Sequence, residues 1–307
     1  MKGGINLIKG SVAALVTPFR ENGEIDFECY ARLIDFHIKH GTSGLVVLGT
    51  TGEAPAVDED ERNELISFAL SHSAGRIPIA VGCSGGDTVH AVKRCEDAQR
   101  LGADAILLLT PYYNKANSRG MREHFLLCAE SVDTPIIMYN VPSRTGCSLS
   151  LSDIAELKKH PNIVGIKEAS GNMSFFTRVC ALTDDSFAVY CGCDELNVPA
   201  LSVGAAGLIS VLANILPRKC ADMCEYMEKG NVAAARGLQH RYSALISALF
   251  SEPNPIPVKT AMNYLEFSEV GRIGTFRLPL CEMCEGTGRE LAAELERLRG
   301  DFDEYMK

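Results

Sequence analysis

Eight short runs rich in Val, Ile and Leu, all but the seventh followed by a stretch of helical period, constrain the fold of this chain more than any other feature. The runs are Ser11–Val16, Gly44–Leu48, Ile77–Val81, Ala105–Leu109, Ile136–Tyr139, Ile163–Ile166, Phe187–Tyr190 and Gly207–Val211. Each is nearly continuous in apolar residues, as expected of strands buried on both faces in a parallel sheet. Amphipathic segments lie between them: Phe27–His40, Glu59–Ala69, Thr88–Arg100, Arg119–Ala129, Leu151–Lys158 and Asn172–Ala181. Asp26, Asp87 and Ser150 stand where helix N-caps belong. Strand ends recur every roughly 20 to 35 residues, the length of a strand–helix unit.

Eight such units predict an α/β protein, a (β/α)8 TIM barrel, over residues 1–215. A doubly wound sheet is the alternative, but no glycine-rich dinucleotide fingerprint follows the first strand. From Leu216 the strand signal ends. Helical stretches at Arg218–Glu228, Val232–Leu249, Val258–Leu265 and Glu282–Leu298 predict a C-terminal helical appendage over 216–307, with a stiff corner at Glu252-Pro253-Asn254-Pro255-Ile256-Pro257. Such an appendage is expected to serve packing or oligomerisation more than chemistry.

Composition narrows the function classes. The formal charge of −9 lacks the basic face a phosphate backbone requires, so nucleic acid is not an expected partner. No apolar run nears the roughly 18 residues of a membrane span, and Met1–Lys9 does not read as a signal peptide. A cytoplasmic location follows, in which the twelve cysteines are expected to be free thiols. Cys281-Glu282-Met283-Cys284 and Cys191-Gly192-Cys193 are not paired by spacing into a four-ligand zinc site, so no metal is expected.

In such a barrel the chemistry sits at the C-terminal ends of the strands. Lys167 follows a buried run: it either snorkels from the mouth or is an amine made nucleophilic by burial and able to form a Schiff base. Tyr139 ends the preceding strand and is either packing or a proton shuttle beside that amine. Thr50 and Thr51 fit turn chemistry or the donors for a small carboxylate, and Tyr113 adds a third hydroxyl to a possible relay. Arg144 is either a solvated charge or a bidentate clamp for a substrate carboxylate. Glu53 and Glu168 could cap helices or balance charge. Amine, phenol, hydroxyls and guanidinium at one rim suggest an oxo acid activated as an imine.

These segments resemble the dihydrodipicolinate synthase / N-acetylneuraminate lyase family of class I aldolases. The likeness rests on Gly49-Thr50-Thr51-Gly52-Glu53, Thr110-Pro111-Tyr112-Tyr113-Asn114, Tyr139-Asn140-Val141-Pro142-Ser143-Arg144-Thr145-Gly146 and Gly165-Ile166-Lys167-Glu168, in order, and it runs from Gly10 through Glu252–Lys259. Ser143-Arg144-Thr145-Gly146 is similar to the synthase form rather than the sugar-acid lyase form. The resemblance implies condensation of pyruvate with aspartate semialdehyde in the diaminopimelate and lysine pathway. Lys167 would form the imine and Tyr139 would be the general acid/base. Thr51 would pass protons between Tyr139 and Tyr113, the latter reaching in from a neighbouring subunit. Thr50 and Thr51 would hold the pyruvate carboxylate and Arg144 that of the aldehyde. Gly192 and Ile209 match positions whose carbonyls line the pocket. No metal or organic cofactor and a homotetramer are implied. The alternative is a relative acting on a longer 2-oxo acid, such as a sugar acid or hydroxy-oxoglutarate, and a barrel kept only for binding is the non-enzyme reading. Where lysine-sensitive members bind their inhibitor, Tyr112 and the Glu53 neighbourhood persist, but the matching positions carry Ala54, Pro55, Glu59, Arg62, Gly86 and His90, with His90 in place of a carboxylate and Gly86 in place of an amide, which implies weak or absent inhibition.

Overall fold

The structure, a computed structural model, describes residues 8–306. The N-terminal segment read for a leader therefore lies, up to Leu7, outside the described residues. Eight parallel strands close into a barrel in chain order: β1 (Gly10–Ala14), β2 (Gly44–Val47), β3 (Ile79–Gly82), β4 (Ala105–Leu109), β5 (Ile136–Asn140), β6 (Ile163–Glu168), β7 (Ala188–Cys191) and β8 (Gly207–Ser210). The apolar runs are continuous because both faces are covered. Val12, Val46, Ala80, Leu107, Ile137, Val164 and Ile209 fill the interior, while alternate residues such as Ala13, Val47 and Ile106 pack under the helices. β3 begins two residues later than expected, since Pro78 has no N–H to give the ladder and contributes only its carbonyl, 3.0 Å from the Leu45 amide.

Asp26, Asp87 and Ser150 cap their helices, accepting from the backbone N–H groups of Cys29, His90 and Asp153. Between β7 and β8 the helix Asn197–Ser202 is six residues long and contains Pro199, which is why no helical period marks it. The helix Pro217–Glu228 packs on β1 and β8 and completes the eighth unit of the barrel. Helices Val232–Leu249, Ile256–Leu265 and Glu285–Arg297 pack on one another outside that wall. Among the described residues no helix is long and apolar enough to cross a membrane.

One irregularity decides where Lys167 points. In the β5–β6 ladder Ile136 faces Ile163 but Ile137 faces Gly165, so Val164 is an extra residue on β6. A bulge of this kind resets the alternation of a strand. Val164 faces the barrel interior and Ile166 the helices, so an unbroken alternation would have turned Lys167 outward as well. With the bulge, Lys167 faces inward and Glu168 outward. Residue 165 is crowded: a Cβ on Gly165 would meet the Ala188 carbonyl oxygen at 2.7 Å.

Candidate active site

A cavity of about 270 Å³ opens at the C-terminal end of the barrel. Its wall includes Thr50, Thr51, Tyr139, Arg144, Lys167 and Gly192, so six of the expected residues converge. Tyr139 and Lys167 are ladder partners on β5 and β6, both buried, and the Lys167 ammonium lies 4.5 Å from the centre of the Tyr139 ring. Among the described residues no hydrogen bond or ion pair engages Lys167 Nζ. Gly192 is the neighbour that leaves the lysine room: a Cβ there would stand 2.7 Å from Lys167 Cε.

The Gly49–Gly52 turn is bracketed by two residues in the left-handed region, Leu48 and Glu53, both at φ 54°. Thr17 Oγ1 donates to the Gly52 carbonyl at 2.8 Å, and Glu53 carries the turn's anchor. Its carboxylate is fully buried and pairs with Lys259 Nζ at 2.6 Å, while its second oxygen accepts from the Arg277 amide at 3.2 Å. Glu53 is thus the clamp between this turn and the C-terminal helices. Glu168 lies behind the site, accepting from Asn140 Nδ2 at 2.6 Å and the Ser170 amide at 2.7 Å, and burial raises its carboxyl pKa.

Two expected residues lie elsewhere. Ile209, expected for its carbonyl, is not on the cavity wall: its side chain packs inside the barrel beside Val12 and Ala14, and Val211 is the residue near the end of β8 that lines the cavity. Tyr113 is 90% exposed and does not line the cavity. Its loop leaves the barrel at Pro111, and Tyr113 takes φ 70° at the loop's outer edge.

The C-terminal region does more than pack. Phe250 and Asn254 line the cavity. Asn254 Nδ2 donates to Thr51 Oγ1 at 3.0 Å and the Asn254 carbonyl accepts from Arg144 Nη2 at 3.2 Å, so one residue joins the β2 turn to the β5 loop. The sequence signal was the proline corner around it, which marks a rigid turn but not its neighbours. Asp194 and Glu195 also reach the wall. Asp194 is committed to the fold, accepting from the Val211 and Leu212 amides at 2.9 Å each.

The arrangement offers a buried primary amine under an aromatic phenol, with hydroxyl donors and a guanidinium on the wall of the same cavity, which suits an oxo acid held as an imine. The chain matches the dihydrodipicolinate synthetase family over residues 7–298. The 4-hydroxy-tetrahydrodipicolinate synthase of Caldicellulosiruptor saccharolyticus is 47% identical over 279 residues, covering 91% of this chain and 93% of that protein. The crystal structure of dihydrodipicolinate synthase from Aquifex aeolicus matches with a TM-score of 0.91 at 38% identity, covering 96% of this chain and 99% of that one. The chloride-inhibited dihydrodipicolinate synthase from Acinetobacter baumannii, solved in complex with pyruvate, matches with a TM-score of 0.90 at 37% identity, covering 94% and 98%. The match over residues 7–298, together with relatives at this identity and coverage, shows that the chain belongs to the dihydrodipicolinate synthetase family.

Proposed function

We propose that this chain catalyses the 4-hydroxy-tetrahydrodipicolinate synthase reaction, a lyase-class condensation of pyruvate with L-aspartate-4-semialdehyde in diaminopimelate and lysine biosynthesis. The observation that carries it is the unpartnered Lys167 ammonium facing the cavity beneath the Tyr139 ring. Lys167 Nζ, once deprotonated, attacks pyruvate C2. Tyr139 gives a proton to the departing oxygen and water leaves, forming the imine. Thr50 and Thr51 hold the pyruvate carboxylate. Loss of a C3 proton gives the enamine, whose C3 adds to the aldehyde carbon while Arg144 holds the second carboxylate. The amine of the second substrate then attacks C2, closes the ring and releases Lys167. The imine supplies the electron sink, so the reaction as proposed draws on no metal or organic cofactor.

The reading extends to assembly. Tyr113 is too exposed to serve its own cavity, and we propose that it completes the relay of a neighbouring subunit in a homotetramer. A smaller cavity of about 90 Å³, walled by Thr50, Leu107, Leu109 and Tyr139, offers a slot for a phenol. Arg62 and Arg94 line the same cavity and share the Glu59 carboxylate, which leaves that anion engaged rather than available to the ammonium of a bound lysine, so inhibition by lysine is expected to be weak. A lysine titration that inhibits strongly contradicts this last point. A cytoplasmic location, where twelve cysteines stay reduced, belongs to the same proposal.

The test is NMR of the protein incubated with both substrates. Equimolar loss of pyruvate and aspartate semialdehyde into one cyclic product supports the reading; consumption of pyruvate only with a polyhydroxy aldehyde overturns it. Mixing Tyr113→Phe with Lys167→Ala subunits tests sharing, since a hybrid then contains intact sites and regains activity.

A further inference from the structure

The acceptor aldehyde carries an ammonium as well as a carboxylate, and the cavity wall has an anion for it. Four wall residues bear formal charge: Lys167, Arg144, Asp194 and Glu195. Lys167 is taken by the imine and Arg144 by a carboxylate. Asp194 is 2% exposed and its oxygens are spent on the Val211 and Leu212 amides and on Asn197 Nδ2 at 3.1 Å. Glu195 is different. It stands exposed on the short turn Asp194–Leu196, and among the described residues its carboxylate has no ion pair. Its backbone is nonetheless fixed. Gln239, on the helix Val232–Leu249, donates to the Asp194 carbonyl at 3.0 Å and to that of Glu195 at 3.4 Å, and accepts from the Val198 amide at 3.1 Å. A free carboxylate on a braced turn, in the same cavity as a guanidinium that is held by the Asn254 carbonyl but, among the described residues, has no carboxylate partner, matches a zwitterion.

We propose that Glu195 determines specificity for the acceptor by binding its α-ammonium while Arg144 binds its carboxylate. The inference rests on the proposed synthase reaction and adds to it the recognition of an amino-acid aldehyde over the same aldehyde lacking the amine. With both ends held, the nitrogen is kept in the cavity and, once it has lost a proton to solvent at this exposed turn, is placed to attack C2 in ring closure.

The experiment compares wild type, Glu195→Gln and Glu195→Asp with two acceptors, aspartate semialdehyde and succinic semialdehyde, the latter being the same chain without the amine. Glu195→Gln is expected to raise KM for aspartate semialdehyde roughly tenfold, the scale of one charge-assisted hydrogen bond. It should leave KM for pyruvate, borohydride trapping of the pyruvate imine and any turnover of succinic semialdehyde unchanged, and Glu195→Asp should recover part of the loss. If the wild type condenses aspartate semialdehyde but Glu195→Gln does so with the same KM, the role of Glu195 is wrong while the synthase reading stands. Equal losses on both acceptors also overturn it, since they indicate a general effect on the site. If the wild type makes no product from aspartate semialdehyde, the synthase reading fails and this inference with it.

Discussion

Among the described residues two lysines are buried, and their surroundings differ in what they leave undone. Lys259 is fully buried, and its three N–H groups are met by Glu53 Oε1 at 2.6 Å, the Thr275 carbonyl at 2.6 Å and the Thr17 carbonyl at 3.0 Å. The rings of Phe19 and Phe276 lie within 4.6 and 5.0 Å. Burial pulls its pKa down and Glu53 opposes the shift, as in a structural ion pair. Lys167 is 5% exposed, yet its side chain lines a cavity with the Tyr139 ring 4.5 Å from its ammonium, and among the described residues no hydrogen bond or ion pair engages that group. A buried cation with every donor satisfied holds a fold together. One with donors unmatched and space beside it is placed to react.

The contrast is broken most directly by exchanging the two losses. Lys167→Ala should abolish imine trapping and lower turnover on the order of 10⁴-fold or more, with thermal unfolding near that of the wild type, because no internal partner is orphaned. Lys259→Met should do the reverse. Stranding the Glu53 carboxylate is expected to cost about 3–5 kcal/mol of stability in denaturant titrations, while Lys167 still traps pyruvate at temperatures where the protein is folded. Pairing it with Glu53→Leu should recover much of that loss. Should Lys259→Met prove neutral in stability, the anchoring role of the pair is wrong.

Smaller substitutions sharpen the same contrast. Gly192→Ala places a methyl where Lys167 Cε now has its space, so turnover should fall roughly 100-fold through misplacement of the amine, with the unfolding transition largely kept. Asn254→Ala removes the donor to Thr51 Oγ1, and a loss of about 1 kcal/mol should appear as a several-fold rise in KM for pyruvate.

These two lysines also show what was legible in the sequence. The strand runs, the helix caps and Lys167 at a strand end are local patterns, and period and residue type suffice to read them. Whether Lys167 faces the cavity or the helices depends on the Val164 bulge, a property of the β5–β6 pairing that no alternation in one strand records. Lys259 sits in the Pro-rich corner as an ordinary helix residue. Its partner Glu53 is 206 positions away in the chain, and only the closed fold brings them together. Asn254 and Glu195 were hidden for the same reason: each reaches the cavity from a turn fixed by distant contacts, Asn254 by Thr51 and Arg144 and Glu195 by Gln239. Ile209 and Val211 differ by one step of alternation, and Tyr113 points outward because its loop leaves the barrel.

The central claim is that, of two buried lysines, Lys167 alone is the nucleophile. Incubation of the protein with pyruvate and borohydride, followed by peptide mapping with mass spectrometry, tests it directly. A single reduced pyruvate adduct on the peptide carrying Lys167, with Lys259 unmodified, is the predicted result. No adduct on folded protein, or an adduct on any other lysine, contradicts the account.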